Sequence, residues 1–119
     1  MNTIRKPFKK LLSEIPIEHA HGGSGSRQLI LSPKDMISKN IEAMTKGYLK
    51  SGGIFDWHQH DEIDEFFIVL NGTGVIKYAD GTEFTYAPGE IIYNPANISH
   101  KIENTSSGDN EFFFIRVSV

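Results

Sequence analysis

Short runs of alternating apolar and polar residues recur along the chain from Arg27 onward, separated by turn-forming dipeptides. Alternation with a period of two is typical of strands that bury one face. The clearest turns are Asn71-Gly72, Asp80-Gly81 and Pro88-Gly89. The strands predicted in this way are residues 27–31, 41–50, 54–60, 65–70, 75–78, 83–86, 91–93, 98–103 and 111–119. Many short strands with frequent turns predict an all-β sandwich or barrel.

The first 26 residues have a different texture from the strand-rich remainder. Apolar side chains recur there at helical spacing, at Phe8, Leu11, Leu12 and Ile15, and predict a short helix over residues 7–15. Pro16 would end that helix. We therefore divide the chain into an N-terminal extension, residues 1–26, and one barrel domain, residues 27–119.

A glycine-rich stretch, residues 19–26, closes the extension and predicts a flexible loop. It contains His19 and His21, whose spacing would allow both imidazoles to bind one metal ion. Because so many glycines surround them, we favour the interpretation that both are solvated loop histidines.

Composition excludes several classes of protein. A length of 119 residues fits a single domain, and a net charge of −3 argues against a nucleic-acid partner. The absence of cysteine excludes disulfides and thiolate metal sites. No apolar run is long enough for a signal peptide or a membrane helix, so we expect a cytoplasmic protein with no membrane partner.

The strand predicted over residues 54–60 carries two histidines, His58 and His60. Residues two positions apart point the same way in a strand, whereas a helix would place them about 200° apart. The pair is therefore predicted to form a two-toothed fork of imidazoles. Glu65 and His100, on later predicted strands, are the obvious third and fourth members of the group.

Two spaced patterns contain these residues: Gly52-x5-His58-x-His60-x4-Glu65-x6-Gly72 and Gly89-x5-Pro95-x-Asn97-x2-His100-x3-Asn104. They resemble the two motifs of the cupin superfamily, and together with the residues between them they cover about half of the chain. One anchor differs, since Asn97 stands where the family usually has glycine. Asparagine is the residue best able to replace glycine in a left-handed turn, so the departure is mild.

The resemblance implies a cupin-type jelly-roll barrel, preceded here by the short N-terminal helix, with one divalent metal in its mouth. The implied ligands are His58, His60, Glu65 and His100. Their chemistry agrees, because neutral imidazoles suit transition metals and one carboxylate lowers the charge of the site to +1. Iron, manganese, nickel, cobalt and zinc all fit such a group. The alternative is a barrel that has lost its metal, but the presence of all four ligands favours metal binding.

Strand alternation also predicts a substrate pocket around the metal. The neighbours that share a face with Glu65 or His100 are Phe67, Val69, Ile98 and Ile102. On the strand over residues 41–50 either face could point inward. The polar face would bring Met44 and Tyr48 towards the metal, and the apolar face, which we favour, would give a plain core.

Residues farther from the metal set suggest possible partners. Arg27, Gln28 and Arg116 could meet an anionic substrate, although such residues are more often found at a barrel rim or an interface. The three phenylalanines at 112–114 cannot all point inward. Part of that run is therefore predicted to meet a barrel edge or a second subunit, and we expect a homodimer.

Two kinds of function fit the sequence. We favour a metal-dependent enzyme that acts on a small polar, carbonyl or carboxylate-containing metabolite, with Glu65 as a hypothetical base as well as a ligand. The resemblance allows a dioxygenase, isomerase, lyase, decarboxylase or cyclase, and fold does not choose among them. The alternative is a non-catalytic cupin that binds or senses a sugar or a small acid.

Overall fold

The computed structural model of the protein describes residues 5–20 and 23–119 and shows two antiparallel sheets. The strands are β1 (Glu18–His19), β2 (Ser26–Leu31), β3 (Ile41–Leu49), β4 (Ile54–His58), β5 (Ile63–Asn71), β6 (Gly74–Tyr78), β7 (Glu83–Tyr86), β8 (Ile91–Asn94), β9 (His100–Asn104) and β10 (Asn110–Ser118). One sheet has the order β1-β2-β3-β10-β5-β8, and the other has the order β4-β9-β6-β7. The all-β prediction and the jelly-roll barrel are confirmed.

An aromatic cluster fills the barrel interior. The ring of Phe67 stacks on Phe114 with centroids 5.2 Å apart and meets Phe112 edge-on at 4.7 Å. All three side chains are buried, and each such burial stabilises the fold by roughly 1.5–3 kcal/mol. Phe55 and Ile102 belong to the same cluster. This packed core supports the strands that carry the polar side chains of the barrel mouth.

Strand β10 lies in the middle of its sheet, between β3 and β5. For the run 112–114, predicted to meet a barrel edge or a second subunit, the edge alternative is therefore wrong, and the second subunit stays a prediction. Phe112 and Phe114 point into the core, and Phe113 lies on the outer face of the same sheet. The alternation of the strand, rather than an open edge, explains why the three rings do not share one environment.

The predicted helix over residues 7–15 is wrong, because the structure has only a 3-10 turn, Leu12–Glu14. The apolar stripe does not bury as a unit, since Phe8 and Leu11 are about half exposed (53% and 52%). A nine-residue helix is marginal without such burial. The predicted boundary at residue 26 stays a prediction.

A buried glutamine holds this N-terminal turn on the barrel. The Gln28 side-chain amide donates to the carbonyls of Leu12 and Ile15, both at 2.9 Å, and its oxygen accepts a hydrogen bond from the Tyr48 hydroxyl. Gln28 is therefore a structural anchor on the outer face of the sheet, and it is not a group that meets a ligand inside the barrel.

Across the described residues, no helix is long and apolar enough to cross a membrane.

Candidate metal centre

Four side chains from three strands and one loop converge at the mouth of the barrel. His58 ends β4, His60 follows it, Glu65 lies on β5 and His100 begins β9. One ligand atom from each residue lies within 4.8 Å of all the others. His58 and His100 are direct cross-strand partners, which explains why their rings are 4.4 Å apart. The structure thus brings together all four residues that the two sequence patterns singled out.

The imidazoles are oriented as metal ligands would be. Nδ1 of His58 lies 2.7 Å from the carbonyl oxygen of Asp56, so it carries the proton and leaves Nε2 free to coordinate. Among the described side chains, the buried polar atoms without a hydrogen-bond partner are Nε2 of His60 and both ring nitrogens of His100. Buried unpaired nitrogens are costly and rare. A metal ion at this point would satisfy the Nε2 atoms, so the residues present fit the ion.

The carboxylate of Glu65 is buried, with 1% of the residue exposed, and both its oxygens are held. Oε1 accepts from the Asn94 amide at 3.1 Å, and Oε2 accepts from Arg116 Nε at 3.0 Å. Burial alone would raise the pKa of Glu65, but the imidazoles of His100 and His60 and the charge of Arg116 together hold that pKa well below its usual value. Glu65 is therefore an ionised carboxylate, oriented as a metal ligand would be.

Three imidazoles and one carboxylate form a donor set for a divalent transition metal, and its identity stays open. When bound, the ion would supply Lewis-acid binding of a carbonyl or carboxylate oxygen. Beside this group lies a cavity of about 150 Å³. Its walls are formed by Ala20, Arg27, Thr45, Gly47, Phe55, His58, Glu65, Ile102, Phe114 and Arg116. The cavity combines apolar walls with two guanidinium groups, which suits a small anionic molecule.

Comparison with known proteins agrees with this architecture. The sequence model of the cupin domain family matches residues 47–116, more than half of the chain. The chain belongs to the cupin family. This match extends from β3 to β10 and includes all four residues of the metal group.

One similar sequence and one similar solved structure come from Thermotoga maritima. Its oxalate-binding protein is 26% identical over 100 residues, which are 83% of this chain and 82% of that protein. The crystal structure of a predicted oxalate decarboxylase from the same organism has a TM-score of 0.85 at 25% identity, covering 94% of this chain and 100% of that one. Ectoine synthase from P. lautus has a TM-score of 0.78 at 16% identity, covering 94% of this chain and 78% of that one, and shows the fold alone.

The residues predicted to line the pocket of this cupin do not all lie at the cavity. Ile102 lines the cavity, whereas Phe67 and Val69 are buried in the aromatic core next to it. Ile98 packs against the core and lines a different cleft, beside Tyr78 and Pro95.

Met44 and Tyr48 are not brought to the cavity. Ala43, Thr45, Gly47 and Leu49 form the buried face of β3, and alternation places Met44 and Tyr48 on its outer face. The favoured interpretation of this strand, with its apolar face inside, therefore describes the structure. What the sequence analysis missed is that Thr45 and Gly47 line the cavity, a position that follows from the same alternation.

Asn97, the one position at which the second motif departs from the family pattern, has the left-handed backbone conformation predicted for it. Asn97 adopts a left-handed conformation with φ 68°. Its side-chain oxygen accepts from the backbone N–H of Glu62 at 2.9 Å, and its own N–H donates to the carbonyl of His60 at 3.1 Å. Asn97 thus ties the second motif to the turn that follows the histidine fork.

The metal-free form of this cupin is expected to lose stability as the pH falls below about 6.5. Burial lowers the pKa of His58 from its usual value of 6.5. The unfolded chain then takes up a proton that the folded chain refuses, so the free energy of unfolding decreases from about pH 6.5 downward. Glu65 acts in the same direction at lower pH, because its pKa is lower in the folded chain than in the unfolded chain. The stability that the ionised carboxylate contributes is complete above the unfolded pKa, and it is lost as the pH falls through the folded pKa.

Urea unfolding in EDTA between pH 8 and pH 4 measures this dependence. A midpoint that stays constant from pH 7 to pH 5 would contradict it.

Proposed function

We propose that this cupin binds a small carboxylate anion, of the size of oxalate, at a divalent metal held by His58, His60, Glu65 and His100. The observation that carries the proposal is the pair of arginines, Arg27 and Arg116, in the wall of the cavity that also contains His58 and Glu65. The name of the Thermotoga maritima relative, oxalate-binding protein, supports the same class of ligand.

Both arginines have donors left for a ligand. Arg116 uses Nε on Glu65, and Arg27 uses Nε on Glu18 at 3.0 Å. A guanidinium carries five N–H donors in a planar fork that matches a carboxylate. The Nε contacts hold each side chain in place, so the remaining donors are already ordered when an anion arrives, and preorganisation favours tight binding.

Binding is favoured over catalysis by the composition of the cavity wall. Among the described residues that line it, the imidazole and the carboxylate are those of His58 and Glu65, and both belong to the metal group. Glu65 is fixed by Asn94 and Arg116, which favours a ligand over a mobile base. The enzyme hypothesis stays a prediction, and full turnover by a metal-loaded Glu65→Gln variant would exclude Glu65 as its base.

Titration calorimetry tests the proposal with protein first loaded with Mn²⁺. We expect oxalate to bind with one site per chain and acetate to bind at least about tenfold more weakly, because a second carboxylate adds at least one charge-assisted contact. Arg27→Gln should weaken oxalate binding about tenfold or more without changing metal content. Equal affinity for oxalate and acetate, or no binding of either, would contradict the proposal. Release of CO₂ and formate from oxalate would instead establish an enzyme.

We further propose that the protein is a homodimer that pairs through the outer face of β10, β5 and β8. An antiparallel sheet usually shows polar side chains to water, but here two cross-strand rows are apolar. The rows are Ile115-Phe66-Tyr93 and Phe113-Ile68-Ile91. A second copy suits this face because a two-fold axis lets one apolar sheet cover another. The cytoplasmic location stays a prediction.

Light scattering coupled to size exclusion tests the dimer. The wild type should elute with twice the mass of the chain, and Phe66→Glu should elute as a monomer because it places a charge on the outer face. Leu29→Glu is the matched control, since Leu29 is equally exposed (38%, against 39% for Phe66) but lies on β2. A wild-type monomer, or equal loss in both variants, would refute this interface.

A further inference from the structure

Two buried side chains form a hydrogen-bonded chain that ends on the Glu65 carboxylate and lies outside the described residues of the cavity wall. Asn94, at the end of β8, donates to Glu65 Oε1 at 3.1 Å. Tyr78, at the end of β6, bonds the side-chain oxygen of Asn94. Both residues are buried, and their strands belong to different sheets. The Tyr78–Asn94 pair therefore connects the two sheets directly behind the metal group.

The direction of this hydrogen-bond chain is dictated by Glu65. An ionised carboxylate can only accept, so Asn94 must present its amide nitrogen to Glu65 and its oxygen to Tyr78. The Tyr78 hydroxyl must then donate. Burial raises the pKa of Tyr78 to about 12, so this proton stays in place across the physiological range. The hydroxyl thus holds the oxygen end of the Asn94 amide while Glu65 holds its nitrogen end.

The two oxygens of Glu65 are held from different directions. Arg116 holds Oε2 and also lines the cavity, whereas Asn94 and Tyr78 are absent from the described residues of the cavity wall. The Tyr78–Asn94 pair can therefore influence Glu65 without contacting a molecule bound in the cavity. Partners of this kind orient the first ligands of a metal and strengthen its binding.

We propose that Tyr78 and Asn94 are positioning residues that fix the plane of the Glu65 carboxylate and so set the affinity of this cupin for its metal. The inference rests on the proposed metal site and adds to it. It predicts that Tyr78, which touches none of the four ligands by a hydrogen bond in the structure, controls metal binding through Asn94.

The barrel contains a matched control pair of the same chemistry. The Tyr86 hydroxyl donates to the side-chain oxygen of Asn110 at 2.6 Å, and both residues are buried. The amide of Asn110 donates to the carbonyl of Thr73 at 3.3 Å rather than to a metal ligand. Removing either hydroxyl deletes one buried tyrosine–asparagine hydrogen bond, but only Tyr78 is connected to Glu65.

The experiment measures Co²⁺ affinity by competition with a chelator, and the visible absorption of bound Co²⁺, on the full chain. Asn94→Ala is expected to weaken Co²⁺ binding about 10- to 100-fold and to alter the absorption spectrum. Tyr78→Phe should weaken it several-fold, and should add no further loss in the Asn94→Ala background because its effect passes through Asn94. Tyr86→Phe should keep wild-type affinity and spectrum.

Each outcome decides the inference. Wild-type affinity in Tyr78→Phe, or an equal loss in Tyr86→Phe, overturns it, since the pair would then act on stability alone. Tyr78→Phe decides even where Asn94→Ala fails to fold, because it removes a single oxygen. A wild-type chain that binds no Co²⁺ overturns the proposed metal site and this inference together, whereas a wild-type chain that binds Co²⁺ with unaffected variants overturns this inference alone.

Discussion

We expect the wild-type chain to bind one equivalent of divalent metal and the His58→Ala/His60→Ala variant to lose it. Both imidazoles of the fork disappear, and Glu65 and His100 alone offer two ligands where transition metals in proteins usually need three or four. Elemental analysis of protein purified without added metal measures the stoichiometry directly. The same measurement identifies the metal. Iron would indicate oxygen chemistry, and zinc, nickel or manganese would indicate redox-neutral chemistry.

Thermal unfolding gives a second measurement of the same loss. Metal that binds only the folded chain stabilises it by about 2.7 kcal/mol at a hundred times its Kd. We expect the wild type to gain stability with added Co²⁺ and the double variant to gain none.

His19→Ala is the control for this experiment. His19 is exposed on β1, and His21 lies outside the described residues. If His19 and His21 formed a second metal fork, the wild type would bind a second equivalent that His19→Ala removes. One equivalent in both proteins would support the solvated-loop interpretation. A double variant that still holds one tight equivalent would show that the four side chains at the barrel mouth are not the metal site.

The metal group was predictable because it depends on local rules. The spacing of the two motifs and the family resemblance identify the same four residues, and neither needs a contact between distant strands to be known. The left-handed conformation of Asn97 was predictable for the same reason, since it follows from the intrinsic preference of one residue type.

The partners of the metal ligands were not predictable, because sheet topology decides them. Arg116 faces Glu65 since β10 pairs with β5 in a register that sets these two residues side by side. Asn94 does so from β8, in the register on the other side of β5. No spacing along the chain expresses either pairing. The same limit explains the failed helix prediction, in which the carbonyls of Leu12 and Ile15 bind a side chain from β2.

Arg116→Ala is expected to lower the stability of the metal-free protein by about 3 kcal/mol. Removing one partner of a buried ion pair leaves the other charge without compensation, and that penalty exceeds the strength of the pair itself. Glu65 cannot escape to water, because the side chain is 2% exposed. We place the effect at the low end of the range for buried pairs since the Arg116 side chain is itself 22% exposed.

Arg27→Ala is the matched control for Arg116→Ala. Arg27 is similarly exposed (24%) and lines the same cavity, but its partner Glu18 is 52% exposed and water can solvate it once the arginine is gone. The loss should therefore stay below about 1 kcal/mol. Urea unfolding in EDTA distinguishes the two variants, and equal losses would contradict the argument from burial.

Metal should rescue Arg116→Ala but not Arg27→Ala, because a cation bound beside Glu65 replaces the missing positive charge. The stability difference between wild type and Arg116→Ala is thus expected to be smaller in saturating Co²⁺ than in EDTA, while the difference for Arg27→Ala stays the same. Oxalate affinity should nevertheless fall in both variants, since each removes a guanidinium from the cavity wall. An Arg116→Ala protein whose instability is unaffected by Co²⁺ would show that the metal does not share the carboxylate of Glu65 with Arg116.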